Sequence, residues 1–234
     1  TTISDGSAAI TGALIAFNLP PTAPLWLPVI GSIFAIIVAK RLFGGLGQNF
    51  INPALVARGM LIAAWPARMT SWAAPFDLVA TATPLATLVP KGVAGAPLPS
   101  LWDMFIGRIP GCIGETSALA LLIGGAYLLY RKTIDWHTPV GMIGTVALLT
   151  FVLAPTVGGA ATIAARFTTA LAHILPGGVM LGAIFMATDY VTSPVTPRGR
   201  LIMGIGCGLI TVLIRLYGGF PEGVSYSIMI MNVA

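Results

Sequence analysis

The stretch Gly12-Ala-Leu-Ile-Ala-Phe-Asn-Leu-Pro-Pro-Thr-Ala-Pro24 begins as an apolar helix and ends in a run of prolines. A second stretch, Gly182-Ala-Ile-Phe-Met-Ala-Thr-Asp-Tyr-Val-Thr-Ser-Pro194, aligns with it without gaps at an offset of 170 residues. Proline removes a backbone donor, so a helix ends this way inside a bilayer only where the broken end is buried in protein. The pair predicts two broken membrane helices that arose by internal duplication.

The composition of the chain indicates a membrane setting. Of the 234 residues, 56% are hydrophobic and 8% are charged, and the mean hydropathy is +0.93. A soluble domain carries about 25% charged residues, so this composition excludes a soluble globular domain, a disordered chain and a disulfide scaffold. It predicts a polytopic protein in a lipid bilayer. The net charge of +5 comes from scattered basic residues without a patch, so no nucleic-acid partner is expected.

Apolar runs predict an all-α fold with about eight membrane spans in this chain. A second match, Arg41-Leu-Phe-Gly-Gly45 on Arg215-Leu-Tyr-Gly-Gly219, follows the first at an offset of 174 residues and strengthens the duplication. An odd number of crossings separates the two broken helices, so we expect inverted repeats of about five spans each. The repeat also implies that about two spans precede Thr1, which makes about ten in the full protein.

Three regions follow from this pattern. Residues 1–66 hold the last three spans of the first repeat, residues 67–116 form an extramembrane loop, and residues 117–234 hold the second repeat. The basic residues of the short loops concentrate on one face, which the positive-inside rule assigns to the cytoplasm. They are Lys40, Arg41, Arg131, Lys132, Arg198 and Arg200, against Arg166 and Arg215 on the opposite face. The long loop is therefore expected on the outer face.

Short motifs that recur in a fixed order carry a family resemblance. They are Asp5-Gly-Ser-Ala-Ala-Ile-Thr-Gly12, Asn52-Pro-Ala-Leu-Val-Ala-Arg58, Met69-Thr-Ser-Trp72, Asp77-Leu-Val-Ala-Thr-Ala-Thr-Pro-Leu85, Ala187-Thr-Asp189, Thr192-Ser-Pro-Val-Thr-Pro197 and Gly218-Gly-Phe-Pro-Glu-Gly-Val-Ser225. Together they resemble RnfD, a membrane subunit of the Rnf ferredoxin:NAD oxidoreductases, which is similar to NqrB of the sodium-pumping NADH:quinone oxidoreductase. The resemblance covers essentially the whole chain.

The resemblance implies a covalent flavin. In that family a threonine in an Asp-x-x-Ser/Thr-Gly-Ala-Thr signature carries FMN through a phosphoester bond, which a separate flavin transferase forms. The acceptor's counterpart here is Thr83, preceded directly by Ala82 and, six residues earlier, by Asp77. Ala80 replaces the Ser/Thr and Thr81 replaces the glycine, so Thr81 is the alternative acceptor. The attached ring would accept and pass electrons.

Three further side chains are candidate contacts of the flavin. Arg58 lies inside an apolar span, where an unpaired charge costs at least about 2.5 kcal/mol. It must therefore face the bundle interior, a cofactor phosphate or an acidic partner. Arg68, near the outer end of the same span, is a second candidate for the FMN phosphate. Asn52 precedes a proline at the start of that span, where it either caps the helix or contacts the cofactor.

Two acidic residues are candidates for an ion path. Asp189 follows the second broken helix and Asp5 precedes the first, so the repeat relates their positions. Carboxylate oxygens suit Na⁺ or a proton relay, and the alternative role of Asp189 is to cap the segment that follows. No metal site is predicted, because the two cysteines and two histidines stand apart in the sequence. No residue is singled out as catalytic.

The resemblance implies a membrane subunit of an ion-translocating ferredoxin:NAD oxidoreductase, rather than a stand-alone enzyme. It implies a bacterial cytoplasmic (inner) membrane location, electron relay through covalent FMN on the outer face, and coupled transport of Na⁺ or H⁺. The partners would include the flavin-carrying RnfG and the membrane proteins RnfA and RnfE. Noncovalent riboflavin is a further expectation, because the resembling quinone reductase holds one in NqrB. The alternative, which the broken helices support equally, is a cofactor-free channel or secondary transporter with an inverted-repeat fold.

Overall fold

The computed structural model describes residues 6–45, 47–73, 82–89, 98–156, 162–218 and 222–234. These residues form helices and no β-strand. In chain order the helices are α1 (Ser7–Phe17), α2 (Trp26–Phe34), α3 (Pro53–Ala64), α4 (Pro66–Met69), α5 (Pro84–Leu88), α6 (Leu101–Ile106), α7 (Ala118–Tyr130), α8 (His137–Leu153), α9 (Ile163–Ile174), α10 (Val179–Leu181), α11 (Pro197–Leu213) and α12 (Val224–Val233). Three of them continue as π-helical segments: Ala35–Arg41 after α2, Gly182–Met186 after α10 and Ile214–Gly218 after α11.

Polar caps and prolines determine where many of these helices begin. Asn52 accepts hydrogen bonds from the N–H groups of Ala54 and Leu55 at the start of α3. A hydroxyl oxygen accepts one in the same way at the start of five other helices, from Thr83, Ser100, Ser117, Thr162 and Thr196. Proline occupies the first helical position of α3, α4, α5 and α11, where a backbone N–H is not needed. These prolines therefore start helices rather than interrupt them.

The bundle has apolar side chains outside and charged side chains inside. Leu25 is 87% exposed and Ile123 and Leu148 are each 64% exposed. By contrast, the two arginines Arg58 and Arg215 are 4% and 1% exposed. A soluble protein has the opposite distribution, and lipid is the solvent that suits this one. The predicted all-helical membrane fold is confirmed at this level.

Helix lengths are more varied than the sequence suggests. Among the described residues, one continuous helix, Pro197–Gly218, combines 22 residues with a mean hydropathy of 1.9 and is long enough to cross a bilayer. The pair Ile163–Ile174 and Val179–Met186 meets the same requirement if it is counted as one span bent by 64°. Five other apolar helices have 10–17 residues. The prediction of about eight spans, of about ten in the full protein, therefore stays a prediction.

Helices α8 and α11 pack backbone against backbone. A Cβ atom on Gly204 would lie 2.5 Å from the carbonyl oxygen of Thr138, and one on Gly208 would lie 2.8 Å from that of Met142. Glycine is required at both positions because the backbones approach this closely, as small residues permit in membrane helices. This contact fixes the orientation of α11, which carries Arg215 into the interior.

The two broken helices meet inside the bundle. The helix α1 ends at Asn18, whose side-chain amide donates to the sulfur of Met186, 3.5 Å away, at the end of the second broken helix. Asn18 also donates to the carbonyl of Leu14 at 2.7 Å, and Thr188 donates to the carbonyl of Ile184 at the same distance. Asn18 and Thr188 are aligned positions of the two stretches, and so are Leu14 and Ile184. The aligned segments thus end their helices through the same local bond.

Candidate functional site

The threonine predicted to carry FMN begins a short helix. The Oγ1 atom of Thr83 accepts a hydrogen bond from the N–H of Ala86 at 3.3 Å, and Pro84 follows it at the first helical position. Thr83 is 4% exposed, and Ala82 before it is half-buried. The predicted site residues Asp77, Thr81 and Asp5 lie outside the described residues.

Helix α5 packs on the broken span formed by α9 and α10. The break follows Pro176, and Gly177 adopts a positive φ of 76°, a conformation that glycine accepts without strain. A Cβ atom at Gly177 would overlap Cδ1 of Leu85, two residues after Thr83. The acceptor helix and the break in the span are therefore in direct contact.

Arg58 is the centre of a buried polar cluster in the same part of the bundle. Its guanidinium forms an ion pair with Glu222 and donates to Asn18 Oδ1 at 2.7 Å and to Ser225 Oγ at 3.2 Å. The Cys112 sulfur lies 3.6 Å from the same guanidinium. Of the three environments that the sequence allows for Arg58, the structure has an acidic partner in the bundle interior. Arg68, by contrast, is exposed and forms no ion pair with any described residue.

Three side chains of this region were not identified as site residues from the sequence. Glu115 is 1% exposed, and its Oε1 accepts the N–H of Cys112 at 3.0 Å. Arg215, expected in a short outer loop, is 1% exposed and donates to the carbonyl of His173 at 2.6 Å. The expectation for Arg215 is wrong because the last turns of the helix, Ile214–Gly218, carry it under the bundle surface. Glu222, the third, is the partner of Arg58.

The thiol of Cys112 belongs to this cluster as a neutral group. Burial raises the pKa of Cys112 well above its ordinary value, and the nearby carboxylate of Glu115 acts in the same direction. The sulfur donates to the carbonyl of Asn18 at 3.4 Å. Cys112 therefore ties the segment before α7 to the end of the first broken helix, and it remains protonated at neutral pH.

A second polar site lies on the other side of Met186. Asn52 donates to the carbonyl of Met186 at 3.3 Å while its oxygen caps α3, so the capping role predicted for Asn52 is present. Asn52, Asn49, Lys40 and Asp189 line a cavity of about 360 Å³. The cavity thus joins two of the predicted residues, Asn52 and Asp189, and keeps both apart from the Arg58 cluster.

Asp189 performs the capping role that was one of its two predicted alternatives. Its carboxylate accepts from the N–H of Val191 at 3.4 Å and from the hydroxyl of Thr192 at 3.3 Å. Asp189 lies in the turn that follows the second broken helix. Burial raises the pKa of its carboxyl, while these two hydrogen bonds and the charge of Lys40 oppose that rise. Lys40 itself is 8% exposed, deeper than the loop position expected from the sequence.

Fold and site together define a class: an all-helical membrane protein that holds ionisable side chains in its interior beside broken helices. The profile of the NQR2, RnfD, RnfE family matches residues 1–234, and the chain belongs to this family. The resemblance stated from the motifs is thereby confirmed.

Three relatives, each the D component of its complex, illustrate the similarity. The chain is 56% identical over 237 residues to that of the Na(+)-translocating ferredoxin:NAD(+) oxidoreductase complex of Acetobacterium woodii, covering 100% of this chain and 70% of the relative. It is 46% identical over 242 residues to that of the proton-translocating ferredoxin:NAD(+) oxidoreductase complex of Clostridium ljungdahlii, covering 99% and 71%. It is 39% identical over 262 residues to that of the ion-translocating oxidoreductase complex of Stutzerimonas stutzeri, covering 97% and 72%. All three relatives are parts of multi-subunit complexes.

Proposed function

We propose that the chain is the D-type membrane subunit of an Rnf-type complex and relays electrons through FMN bound to Thr83. The observation that carries the proposal is the position of Thr83 in the family signature, within a match that spans residues 1–234. The contact of its helix α5 with the broken span also supports it, because a flavin there would adjoin the buried charges. The protein would contribute to coupled transport of Na⁺ or H⁺, beside the flavin-carrying RnfG and the membrane proteins RnfA and RnfE.

The proposed location of the flavin is the outer face of the bacterial cytoplasmic membrane. Gly107, at the end of α6, packs against Ser117 at the start of α7, whereas the basic pair Arg131 and Lys132 follows the other end of α7. The segment between α5 and α7 therefore lies away from the basic end of that helix. Since the positive-inside rule places the basic end in the cytoplasm, Thr83 belongs to the opposite side.

Arg68 is the stronger of the two proposed arginine contacts of the FMN phosphate. Arg58 is engaged by Glu222, Asn18 and Ser225, so a phosphate would have to displace existing partners. Arg68 is exposed and forms no ion pair within the described ranges, which leaves its guanidinium available for an anion.

The cavity beside Asn52 is the proposed place for a noncovalent riboflavin. Its volume of about 360 Å³ suits a compact polar ring system, and its amides from Asn49 and Asn52 offer both donors and acceptors. Asp189 at its edge and Asp5, outside the described residues, are the proposed ion-path carboxylates. Replacing Asn49 by Leu should release the noncovalent flavin on extraction of the purified complex, whereas Asn232→Leu on α12 should not.

The experiment that tests the covalent flavin is a denaturing gel of the chain co-expressed with a flavin transferase. A fluorescent band at the mass of the chain is expected, and it should vanish in Thr83→Ala. Thr87→Ala is the matched control, since Thr87 lies one turn later in α5 and bonds only to the carbonyl of Pro84 in the described structure. Loss of fluorescence in Thr81→Ala instead would move the attachment site to Thr81.

The alternative function is a cofactor-free channel or secondary transporter. The 64° bend between α9 and α10 and the meeting of the broken ends favour it as much as they favour the redox subunit. The same gel discriminates the two functions, because a transporter of this kind carries no covalent flavin. Absence of any fluorescent band after co-expression would support the transporter.

A further inference from the structure

Glu115 and Glu222 are the only two glutamates of the chain, and the fold brings them together. An oxygen of each carboxylate and the sulfur of Cys112 all lie within 4.8 Å of one another. Glu115 precedes α7 and Glu222 precedes α12, so their approach depends on the tertiary structure. Two carboxylates this close in a low-dielectric interior repel each other strongly when both are ionised.

The two carboxylates are unequally neutralised. Glu222 forms the ion pair with Arg58, and its side chain is 17% exposed. Glu115 is 1% exposed; its Oε1 accepts the N–H of Cys112, and its Oε2 has no hydrogen-bond donor among the described residues. A buried acceptor without a donor costs about 1–3 kcal/mol, and protonation of either carboxylate removes that cost because the O–H can bridge to the other.

An unsatisfied donor points at the same place. Arg215 is 1% exposed, and its Nε and Nη2 atoms have no partner in the described structure. Nη2 lies 3.7 Å from where a Cβ atom of Gly177 would be, and Oε2 of Glu115 lies 3.3 Å from the corresponding position at Gly178. A free donor and a free acceptor therefore flank two adjacent glycines at the break of the span, where helix ends commonly bind ions.

The surroundings of the carboxylates disfavour a metal cation. Hard cations take a shell of several oxygen ligands, whereas a guanidinium and a thiol occupy the space beside these two carboxylates. The charged and titratable groups that face the pair come from every packed element: Arg58 of α3, Cys112, His173 of α9, Arg215 and Tyr226 of α12. With both arginines charged and one proton added, the cluster carries a single net positive charge.

We infer that Glu115 and Glu222 form a buried proton-binding site, in which the two carboxylates share one exchangeable proton at the break between α9 and α10. Binding converts one carboxylate and a proton from water into one carboxylic acid, and release reverses the step without electron transfer. The partial exposure of Glu222 provides the route to water, and Glu115 holds the proton on the inner side. The site does not depend on the flavin.

The test uses dicyclohexylcarbodiimide, which adds to a protonated carboxylic acid in an apolar site. Membranes with the assembled wild-type complex are treated across a pH series in potassium salts, and the modified residue is located by peptide mass. We expect modification of Glu115 or Glu222 that falls to background as the pH rises and that added NaCl leaves unchanged. No modification of either glutamate at any pH would overturn the inference. Protection by NaCl would overturn it in favour of a sodium site.

Variants of the assembled complex provide the second measurement. In Glu115→Gln, the remaining carboxylate of Glu222 faces only Arg58 and should stay ionised, so its modification should be lost; Glu222→Gln should likewise abolish modification of Glu115. Asp103→Asn is the matched control, because this carboxylate caps α6 at Ser100 outside the cluster. Unchanged modification of the remaining glutamate in both single variants would contradict a shared proton. The wild-type pH series decides the question if a variant fails to assemble.

Discussion

Replacement of Arg58 by Met tests whether the interior of the bundle depends on its buried charge. The change keeps much of the side-chain volume and removes the ion pair with Glu222 together with the bonds to Asn18 and Ser225. Hydrogen bonds from a charged donor contribute about 1.5–3 kcal/mol each, and removing one partner of a buried ion pair costs about 3–5 kcal/mol. Because these contributions overlap, we expect unfolding to become easier by about 3–5 kcal/mol in total.

The assay is denaturation of the purified chain in micelles by increasing sodium dodecyl sulfate. Cys112 and Cys207 are both buried, so their reaction with a fluorogenic maleimide reports unfolding. The double variant Arg58→Met/Glu222→Gln should recover at least about 1 kcal/mol, because it leaves no unpaired carboxylate at that position.

Arg68→Met is the matched control for Arg58→Met. It makes the same chemical change on exposed α4, and we expect an effect within about 0.5 kcal/mol. Equal unfolding curves for Arg58→Met and Arg68→Met would refute the assignment of Arg58 to a buried ion pair. An additive effect in the double variant would refute its coupling to Glu222.

Two further changes test other parts of the structure. Asp189→Asn should reduce ion transport by proteoliposomes more than electron transfer by the same sample, because the carboxylate lines the cavity while its capping bonds survive in Asn; equal losses would argue against a specific ion role. Gly204→Ala should destabilise the bundle by about 1–3 kcal/mol, since its new Cβ atom would lie 2.5 Å from the carbonyl of Thr138. Gly144→Ala on α8, which meets open space, should leave the melting temperature unchanged or raise it, and equal effects at both glycines would contradict the close contact.

The sequence predicted the features of this protein that follow from local chemistry. Asn18 and the prolines after it predicted a broken helix, and Asn52 before Pro53 predicted a capped helix start; both are present. The high cost of a charge in lipid predicted that Arg58 lies in the interior, where the structure places it. Such inferences need only a residue and its immediate neighbours in the chain.

Pairings between distant segments could not be predicted in the same way. Glu115 and Glu222 are 107 residues apart, and nothing local to either indicates that they meet. One signal was available: in a chain with seven acidic residues, each carboxylate needs a reason. Arg215 was misplaced because a basic residue near a helix end resembles a loop charge, and only the packing of its last turns shows that it is buried.

The central claim is that Thr83 carries FMN, and the intact mass of the chain tests it most directly. After co-expression with a flavin transferase, the mass should rise by one FMN less one water, and fragmentation should place the addition on Thr83. Thr83→Ala should keep the unmodified mass, while Thr87→Ala should gain the flavin as the wild-type chain does. A wild-type chain that keeps its unmodified mass under these conditions would contradict the account.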